Sequence, residues 1–496
     1  MRIAFVASEM VPFSKTGGLA DVVGALPSAL SRLGQDVSVF TPLYQAARAS
    51  CERLGLDLKE SSAGPVRFPI GSNEVEVTIH ESRLPESGIP VYLLENDRYY
   101  ARPGLYTKPD DNSDYADNSE RFICLSRGTL EACKALGLRP DVFHCNDWQT
   151  GLLPVYLHHT HRSSFPRAAS VMTVHNIAYQ GLFRHEDMGL TGLPSELLNW
   201  RMLEYYGKLS FLKGGLVSAE VVTTVSKRYA EEVQTPEFGM GLEGVLRERS
   251  DSLVGIVNGV DYGVWSPGVD KQIVMRYSAA DLSGKAKCKK ALQQRFKLLQ
   301  KRDTPVLGMI GRLVEQKGFD LVAEALDKLM EMDMQLVILG TGQPKFHALL
   351  TKMQAAHPDR IGVLLGFDDA LAHQIEAGSD MFLMPSRFEP CGLNQLYSLK
   401  YGTVPIVSRT GGLVDTIADY TDATAANGAA TGFSFEAGDA KAMLDSIARA
   451  LKLYREAPDA WRKLQLRGMG QDWSWERSAR EYVTVYEKAT AKLGQR

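Results

Sequence analysis

One short sequence pattern occurs twice in the chain, once near each end. Residues 15–21 read Lys-Thr-Gly-Gly-Leu-Ala-Asp, and residues 409–415 read Arg-Thr-Gly-Gly-Leu-Val-Asp. Each copy follows a run typical of a buried strand and precedes apolar residues at helical spacing. Glycines at such a turn let the backbone approach an anion closely, and the first amides of a helix favour phosphate. The repeat therefore predicts two similar α/β domains, each with its own anion-binding loop.

Length and composition restrict the class of protein. A chain of 496 residues has room for two or more domains, and a net charge of -3 with 44% apolar residues is typical of soluble globular proteins. This balance favours neither a nucleic-acid partner nor a membrane surface, and no apolar run reaches the roughly 18 residues that span a bilayer. The first predicted strand begins at once, which argues against a signal peptide. Six cysteines without a Cys-x-x-Cys pair indicate reduced thiols in a cytoplasmic protein, at Cys51, Cys124, Cys133, Cys145, Cys288 and Cys391.

The first half of the chain has the pattern of a doubly wound α/β domain. Residues 3–40 predict a strand, a helix and a second strand, and this order favours a parallel sheet whose ligands lie beyond the carboxyl ends of the strands. The first strand leads towards Lys15, and two later strands end next to Asp147 and His175. We therefore expect these three side chains at one edge of the sheet. The Gly-x-Gly-x-x-Gly fingerprint of dinucleotide-binding domains is absent from this loop.

Two other segments of the first half carry predictions about structure. A polar loop follows a β-rich stretch over residues 66–95 and contains Tyr99, Tyr100, Tyr106 and Tyr115. These rings could stack on sugars; the alternative, which we favour, is a surface loop that packs its own aromatic side chains. Residues 195–233 are predicted to be largely helical, with an interruption at the glycines of residues 213–215 and a strand over 221–225.

The second half repeats the α/β pattern after a Gly/Pro-rich stretch near residue 260, which predicts a domain boundary. Arg312 and Lys317 follow one predicted strand, and Glu389 follows another. The two cations could neutralise a diphosphate, and Glu389 would then stand among phosphate-binding turns. The alternative for Arg312 and Lys317 is a pair of solvated surface charges, and for Glu389 it is a helix cap. Together with the two glycine turns, these residues favour a nucleotide held in an interdomain cleft.

The chain contains no Asp-x-Asp sequence. Many sugar-nucleotide enzymes hold a divalent metal ion with such a pair of carboxylates. We therefore expect no metal here, and we expect Lys, Arg and helix N-termini to stabilise a leaving diphosphate instead.

Eight motifs in series resemble those of bacterial glycogen synthases and plant starch synthases, glycosyltransferase family 5. They cover the chain from residue 1 to about residue 490, in the family's order, and their number makes the resemblance highly specific. The motifs are Lys15-Thr-Gly-Gly-Leu-Ala-Asp21, His144-x-x-Asp147-Trp148, Val174-His175-Asn176-x-x-Tyr179-Gln180-Gly181, Thr235-Pro-Glu-Phe-Gly-Met-Gly, Asn258-Gly-Val-Asp261, Gly311-Arg312-Leu-x-x-Gln-Lys317-Gly318, Ser386-Arg-Phe-Glu389-Pro-Cys391-Gly392-Leu and Thr410-Gly-Gly-Leu413.

The resemblance implies a GT-B fold, in which two Rossmann-like, doubly wound α/β domains face a deep interdomain cleft. We place the domains at residues 1–255 and 256–474, with a C-terminal helix over 475–496 that crosses back to the first domain. The implied activity is that of a retaining transferase that adds glucose from ADP-glucose to the non-reducing end of an α-1,4-glucan such as glycogen. ADP-glucose and the glucan are then its partners, no cofactor is expected, and no oligomeric state is implied.

The resemblance also implies residue roles. Catalytic roles fall to Asp147, His175, Arg312, Lys317 and Glu389. Donor binding falls to Lys15, Gly17, Gly18, Asp21, Asn258, Phe367, Cys391, Gly392, Thr410, Gly411 and Gly412. Among these, Phe367 stands where relatives have a tyrosine that stacks on adenine, so the ring is kept without its hydroxyl. Many GT-B enzymes have a second glutamate at the position of Tyr397, which the glycogen synthase subgroup also lacks.

Two alternative functions remain at this point. One is a catalytically silent glucan-binding protein that kept the fold, which would be marked by loss of residues such as Lys15 or Glu389. The other is a GT-B transferase that uses UDP-glucose or a different acceptor, which the order of the motifs disfavours.

Overall fold

The computed structural model of the protein describes residues 1–493. These form two compact units, and no sheet is shared between them. Unit 1 comprises Met1–Gly259 and, among the described residues, 475–493, and unit 2 comprises Val260–Ser474. The division at Gly259 lies four residues beyond the boundary predicted at 255.

Unit 1 is built on a ten-stranded sheet and a separate three-stranded sheet. Its strands are β1 (Arg2–Val6), β2 (Asp36–Pro42), β3 (Lys59–Glu60), β4 (Val66–Ile70), β5 (Asn73–Arg83), β6 (Pro90–Glu95), β7 (Val142–Asn146), β8 (Ala169–Val174), β9 (Leu182–Phe183), β10 (Glu204–Tyr205), β11 (Lys208–Ser210), β12 (Val221–Thr224) and β13 (Leu253–Gly255). Its helices before residue 260 are α1 (Gly18–Arg32), α2 (Gln45–Leu54), α3 (Asp97–Tyr100), α4 (Asn118–Ala135), α5 (Leu152–His159), α6 (Met188–Thr191), α7 (Phe211–Ser218), α8 (Lys227–Glu232) and α9 (Glu243–Glu248).

The order of the large sheet creates a switch point next to β1. The strands run β13-β12-β8-β7-β1-β2-β6-β5-β3, with β4 paired to β5, and those from β13 to β6 are parallel. Every residue of β7, β8 and β12 is buried, as expected for parallel strands covered on both faces. The chain moves outward from β1 to β2 and later returns to β7 on the other side. Loops that follow β1 and β7 therefore diverge and leave a crevice at the carboxyl edge.

The predicted helical content of residues 195–233 is partly wrong. Residues 195–210 form a 3-10 turn and the strands β10 and β11, which pair with each other, and β11 also pairs with β9 in the small antiparallel sheet. The glycines that predicted an interruption lie inside helix α7. A Cβ atom on Gly214 would stand 2.5 Å from Leu203 Cδ2, and one on Gly215 would stand 2.9 Å from Met172 Sδ. Close packing of α7, rather than a break in it, explains these glycines.

Unit 2 is an open, fully parallel sheet in the order β16-β15-β14-β17-β18-β19, the 3-2-1-4-5-6 order of a classical Rossmann sheet. Its strands are β14 (Val306–Ile310), β15 (Gln335–Gly340), β16 (Ile361–Leu365), β17 (Met381–Met384), β18 (Val404–Ser408) and β19 (Phe433–Phe435). Its helices are α10 (Ser283–Arg295), α11 (Phe319–Glu324), α12 (Leu326–Glu331), α13 (Pro344–Ala356), α14 (Asp369–Gly378), α15 (Asn394–Tyr401), α16 (Gly411–Thr416), α17 (Asp422–Ala426), α18 (Ala440–Glu456) and α19 (Pro458–Met469). The switch point of this unit lies between β14 and β17.

The last helix, α20 (Trp475–Leu493), belongs to unit 1. Tyr486 on this helix lies with its hydroxyl oxygen 2.8 Å from His144 Nδ1, and Ser478 Oγ donates to the carbonyl of Val257 at 2.7 Å. Arg32 and Glu476 form an ion pair between α1 and α20. These contacts give His144 a structural role in the core of unit 1. Within residues 1–493, no helix combines the length and the apolarity that crossing a membrane requires.

Candidate active site

The switch point of unit 2 holds a partly buried ion pair. Lys317 ends the 3-10 turn after β14, Glu389 follows β17, and Lys317 Nζ lies 2.5 Å from Glu389 Oε2. Ser386 Oγ donates to the same carboxylate oxygen at 3.0 Å. The side chain of Glu389 is only 7% exposed. Its carboxylate is thus engaged by Lys317 and Ser386, and because α15 begins only at Asn394, the interpretation of Glu389 as a helix cap is wrong.

Gly318 helps to position the Lys317–Glu389 pair, because it allows the loops that hold the two residues to come into contact. It has φ of 74°, and a Cβ atom there would stand 1.9 Å from the carbonyl oxygen of Pro385. The amide of Arg387 donates to the carbonyl of Gln316 at 2.9 Å, which joins the same two loops. Arg312 stands in the first loop, with its guanidinium exposed and 3.1 Å from Gln316 Oε1. The two predicted cations therefore share one loop at the switch point.

The second Thr-Gly-Gly turn packs against the loop of Glu389. A Cβ atom on Gly411, whose φ is 44°, would stand 2.0 Å from the carbonyl oxygen of Glu389. On Gly412, a Cβ atom would stand 2.2 Å from the carbonyl oxygen of Cys391, and the amide of Gly412 donates to the Glu389 carbonyl at 3.1 Å. That amide is therefore already hydrogen-bonded within the chain. Thr410 Oγ1, in contrast, is buried without a hydrogen-bond partner among the residues that the structure describes.

Three other predicted donor-binding residues stand at the carboxyl edge of unit 2. Cys391 is buried, and Gly392 has φ of 74° in the turn before α15. Phe367 follows β16 and is 80% exposed. Since β15 separates β16 from β14, Phe367 stands two strand spacings, about 10 Å, from the strand of Arg312. Its ring is free of the protein core and can stack on a flat ligand.

In unit 1, the first Thr-Gly-Gly turn follows β1 and borders open space. A Cβ atom on Gly18 would have no atom within 4 Å, and one on Gly17 would meet only Glu9 Oε1, at 3.8 Å. Lys15 is exposed, and its Nζ lies 2.7 Å from Asp21 Oδ1 on the first turn of α1. An exposed pair of this kind is weak, so a ligand can take over the ammonium group at little cost.

Glu9 is a residue of this site that the sequence reasoning missed. It is buried, and it accepts hydrogen bonds from the amides of Thr16 and Gly17 and from Thr16 Oγ1, the last at 2.8 Å. Burial raises the pKa of Glu9 to about 7 in spite of these hydrogen bonds. Its position just beyond the end of β1 was the signal that could have identified it, because ligands lie beyond strand ends in such sheets.

Asp147 and His175 meet at the ends of β7 and β8. Asp147 Oδ1 accepts from the amide of His175 at 2.7 Å, and burial raises the pKa of Asp147 to about 7, with a further contribution from the charge of Glu9. Burial lowers the pKa of His175 to about 3, so its imidazole is neutral at physiological pH. These two residues and Glu9 form one cluster at the switch point of unit 1.

The hydrogen bonds of Asn146 define which nitrogen of His175 carries the proton. Asn146 Nδ2 donates to the carbonyl of Val6 at 3.1 Å, which leaves Asn146 Oδ1 facing His175 Nε2 at 2.9 Å. A neutral imidazole in this position has its proton on Nε2. Its Nδ1 is then an acceptor, suited to a hydroxyl donor of a sugar.

Asn258, beyond the end of β13, is also buried, and within residues 1–493 its Oδ1 has no hydrogen-bond partner. Leaving such an atom unsatisfied costs about 1–3 kcal/mol. A bound hydroxyl group would relieve that cost.

The tyrosine loop of residues 96–115 does not present its rings for stacking. Tyr99 and Tyr100 are buried, and their hydroxyls donate to Glu120 Oε2 and to the carbonyl of Arg121, each at 2.8 Å. Tyr106 lies with its hydroxyl 2.7 Å from Ser8 Oγ. The favoured alternative, a loop that packs its own aromatic side chains, is confirmed. Across residues 1–493, no three His, Cys, Asp or Glu side chains group closely enough to hold a metal ion.

Comparison with known proteins assigns each unit to a family. Residues 2–248 match the model of the starch synthase catalytic domain, and residues 291–464 match that of the glycosyl transferases group 1. The glycogen synthase of Koribacter versatilis is 47% identical over 491 residues, which cover 99% of this chain and 98% of the relative. The glycogen synthase of an Anaeromyxobacter species is 46% identical, over 99% of this chain and 100% of the relative.

Solved structures give the same assignment. The catalytic domain of starch synthase IV from Arabidopsis thaliana, bound to ADP and acarbose, superposes with a TM-score of 0.90 at 32% identity, over 99% of each chain. Sucrose-phosphate synthase from Thermosynechococcus elongatus superposes with a TM-score of 0.59 at 18% identity over 99% of each chain, a likeness of fold alone. The predicted α/β class and GT-B fold are confirmed. With near-complete coverage of relatives that are 46–47% identical, the chain belongs to the family of bacterial glycogen synthases and plant starch synthases.

Proposed function

We propose that the protein is a retaining glucosyltransferase that elongates an α-1,4-glucan by transferring glucose from ADP-glucose to its non-reducing end. The observation that carries this proposal is the partly buried ion pair of Lys317 and Glu389 at the switch point of unit 2. The family supports the glucan as acceptor, since its members named above are glycogen and starch synthases. The ADP bound to the Arabidopsis relative supports adenine as the base of the donor.

Breaking the bond between glucose and diphosphate separates charge. The diphosphate gains negative charge, which we assign to Arg312 and Lys317, and the sugar gains positive charge, which we assign to the carboxylate of Glu389. The two cations and the carboxylate are held in place before the reaction, so they need little reorganisation in the transition state. The unpartnered hydroxyl of Thr410 is suited to a phosphate oxygen. Cys391, Gly392, Gly411 and Gly412 shape the backbone around this donor site.

Unit 1 supplies groups suited to the sugar and to the rest of the donor. The neutral His175 offers Nδ1 as an acceptor, and Asp147 and the unpartnered Asn258 Oδ1 offer further oxygens to glucose hydroxyls. The open side of Gly17 and Gly18 admits a phosphate, with Lys15 as its counter-charge and Asp21 as the partner that holds Lys15 beforehand. Phe367, in unit 2, is the proposed platform for the adenine ring.

We further propose that the reaction needs no divalent metal, because the two cations of the Arg312–Lys317 loop supply the positive charge. A cytoplasmic location fits the six cysteines, which are all buried thiols.

A donor screen tests the proposed function. The protein is incubated with glycogen and with radiolabelled ADP-glucose or UDP-glucose, and incorporation into glucan is measured. We expect incorporation mainly from ADP-glucose, and β-amylase should release the label, since this enzyme cleaves α-1,4 linkages from the non-reducing end. Glucan that gains no label, or label that β-amylase cannot release, would contradict the proposal. Preference for UDP-glucose would retain the fold and the chemistry but overturn the donor.

A further inference from the structure

Three aromatic side chains of unit 1 are exposed in the segments that form or adjoin its small antiparallel sheet. Tyr179 is 53% exposed, Trp200 66% and Tyr206 81%, and all lie on or beside the antiparallel sheet of β9, β10 and β11. Large rings left in water forgo the free energy of burial, and clustered exposed apolar surface commonly marks a binding site. The function proposed above has given these rings no role.

The backbone under the rings is held firmly. Tyr205 donates from its hydroxyl to the carbonyl of Met240 at 2.6 Å, and Gln180 Nε2 donates to the same carbonyl at 2.8 Å. Lys213, from helix α7, donates from Nζ to the carbonyls of Trp200 and Glu204 at 2.5 and 2.6 Å. The exposed rings therefore project from a fixed support, and a ligand that binds them loses little affinity to ordering of the protein.

Aromatic packing connects this support to the cluster of Asp147 and His175. Trp148, which follows Asp147, packs against Phe183 of β9 with ring centroids 5.7 Å apart, and Phe183 packs against Phe211 at 4.6 Å. A Cβ atom on Gly181 would stand 2.4 Å from the Trp148 ring, so the chain passes directly over it. Tyr179 follows His175 by four residues, which limits their Cα separation to about 14 Å. A short oligosaccharide covers that distance.

We propose that Tyr179, Trp200 and Tyr206 form a stacking platform for the acceptor glucan, away from the reacting sugar. Glucose rings present C–H groups on their faces and hydroxyls at their edges, so an uncharged glucan can lay its faces on aromatic rings while its hydroxyls stay in water. The charges beside the rings are mixed, with Arg201 over Trp200 and Glu204 next to Tyr205, which favours no strongly charged polymer. This inference rests on the proposed function, since it assumes that a glucan is the substrate.

The test is alanine substitution with a binding readout that needs no donor. Tyr206→Ala, Trp200→Ala and the double variant are compared with the unmodified protein by affinity electrophoresis in glycogen and by calorimetry with maltoheptaose. We expect each single change to weaken glucan binding about 3- to 10-fold, as for the loss of one aromatic stacking contact, and the double change to weaken it further. KM for glycogen should rise in parallel. KM for ADP-glucose and kcat at saturating glycogen should stay within about 2-fold.

Two controls separate ring stacking from general damage. Leu54→Ala removes an exposed apolar side chain from the end of α2 in the same unit, and it should leave glucan binding unchanged. Tyr206→Phe keeps the ring and should bind like the unmodified protein. If Trp200→Ala lowers the melting temperature, Tyr206→Ala decides whether the rings bind glucan, because Tyr206 is the more exposed of the two residues. Alanine variants that bind glucan normally, in a protein that does elongate glycogen, would overturn the platform alone; an unmodified protein that neither binds nor elongates glucan would overturn the proposed function.

Discussion

The two Thr-Gly-Gly turns share a sequence but are held in opposite ways. In unit 1, the carboxylate of Glu9 accepts from Thr16 and Gly17, so a side chain secures the turn. In unit 2, the backbone carbonyl of Glu389 accepts from Gly412, and the carboxylate of the same residue stays available for Lys317. Both glutamates stand at the switch points of their sheets. The carboxylate of Glu9 holds its own turn, whereas the carboxylate of Glu389 does not, and we assign it to the reaction.

The glycines differ in the same way. A side chain on Gly411 or Gly412 would clash with the backbone, whereas a Cβ atom on Gly18 would face open space and one on Gly17 would meet only Glu9 Oε1, at 3.8 Å. In unit 2 the glycines are therefore required by close packing of the loops. In unit 1 the same residues leave open space that a ligand can occupy. A repeated motif shows that two domains share a local structure, but it does not show that both copies have the same task.

The largest expected effect is that of Glu389→Gln. The variant keeps the size and hydrogen bonding of the side chain, and the backbone carbonyl that secures Gly412 is unchanged. Loss of one preorganised electrostatic group typically lowers kcat by about 10²–10³, and ground-state glucose has no charge for Glu389 to meet, so affinity for ADP-glucose should change little. Steady-state kinetics give kcat and the affinity for ADP-glucose, and the melting temperature of the same preparation shows whether the variant is folded.

Glu376→Gln is the matched control for that variant. Glu376 is another buried glutamate of unit 2; burial raises its pKa to about 8, and it accepts from Ser398 at 2.7 Å. A glutamine there resembles the protonated form, so kcat should stay within a few-fold. A folded Glu389→Gln variant with near-normal kcat would end the catalytic assignment and leave Glu389 as a structural partner of Lys317.

The second prediction contrasts Gly411→Ala with Gly18→Ala. A methyl group at Gly411 meets the Glu389 carbonyl and an unfavourable φ, so we expect a loss of about 2–5 kcal/mol in the free energy of unfolding. At Gly18 we expect a change of less than about 1 kcal/mol, because the site is exposed. There the methyl group should instead raise KM for ADP-glucose about 5-fold or more, by filling the space assigned to the donor. Equal melting temperatures for the two variants would remove the contrast between the turns.

Much of this site could be predicted from the sequence because strands were recognisable as apolar runs. Lys15, Asp147, His175, Arg312 and Glu389 all follow such runs, and the rule that ligands lie beyond strand ends placed them at sheet edges. Strand order was not available from these runs. The partners that meet across a switch point, such as Lys317 and Glu389, come from strands that are distant in sequence, and only the fold shows that they pair.

The misses have physical causes as well. Residues 195–210 contain apolar side chains, but residues 204–210 pair as the strands β10 and β11, and β11 pairs with β9, a tertiary contact that overrides local helical preference. The tyrosines of residues 99–115 are aromatic and stand in a polar loop, which suggests sugar stacking, yet Tyr99 and Tyr100 are buried and Tyr106 and Tyr115 are half-buried. The exposed Trp200 and Tyr206 stand in the segment that was predicted to be helical. Exposure of a ring depends on what packs against it, which composition does not reveal.

A third prediction concerns the pH dependence of stability through Glu9. The fold raises the pKa of this carboxyl from its ordinary 4.5 to about 7, so the folded state holds a proton that the unfolded state releases between these values. This contribution to stability is complete below pH 4.5 and is lost as pH rises through 7, at about 1.4 kcal/mol per pH unit where the two states differ by one proton. Glu9→Gln removes that loss. Its melting temperature should therefore approach that of the unmodified protein at pH 5 and exceed it at pH 8.

Gly18→Ala in the same turn serves as the control, since it adds no titrating group and its difference in melting temperature should not vary with pH. Asp147 has a pKa raised in the same direction, partly by the charge of Glu9. That repulsion is absent in Glu9→Gln, which also favours the variant at pH 8. A difference for Glu9→Gln that stays constant from pH 5 to pH 8 would contradict the assignment of the raised pKa to Glu9.

The smallest expected effect is that of metal removal, and it tests which switch point supplies positive charge. Glu9 and Asp147 are two carboxylates close enough for one to raise the pKa of the other, which is the arrangement that a divalent cation would exploit. We assign the positive charge to Arg312 and Lys317 instead, so transfer from ADP-glucose to glycogen should be unchanged in excess EDTA. The assay is run at pH 8, where carboxyls with a pKa of about 7 are mostly ionised and would bind a metal best. Loss of activity in EDTA with recovery in magnesium would assign the catalytic positive charge to a metal ion held by the carboxylates of unit 1. Glu9 would then take part in the reaction, and Glu389 would lose the role assigned to it here.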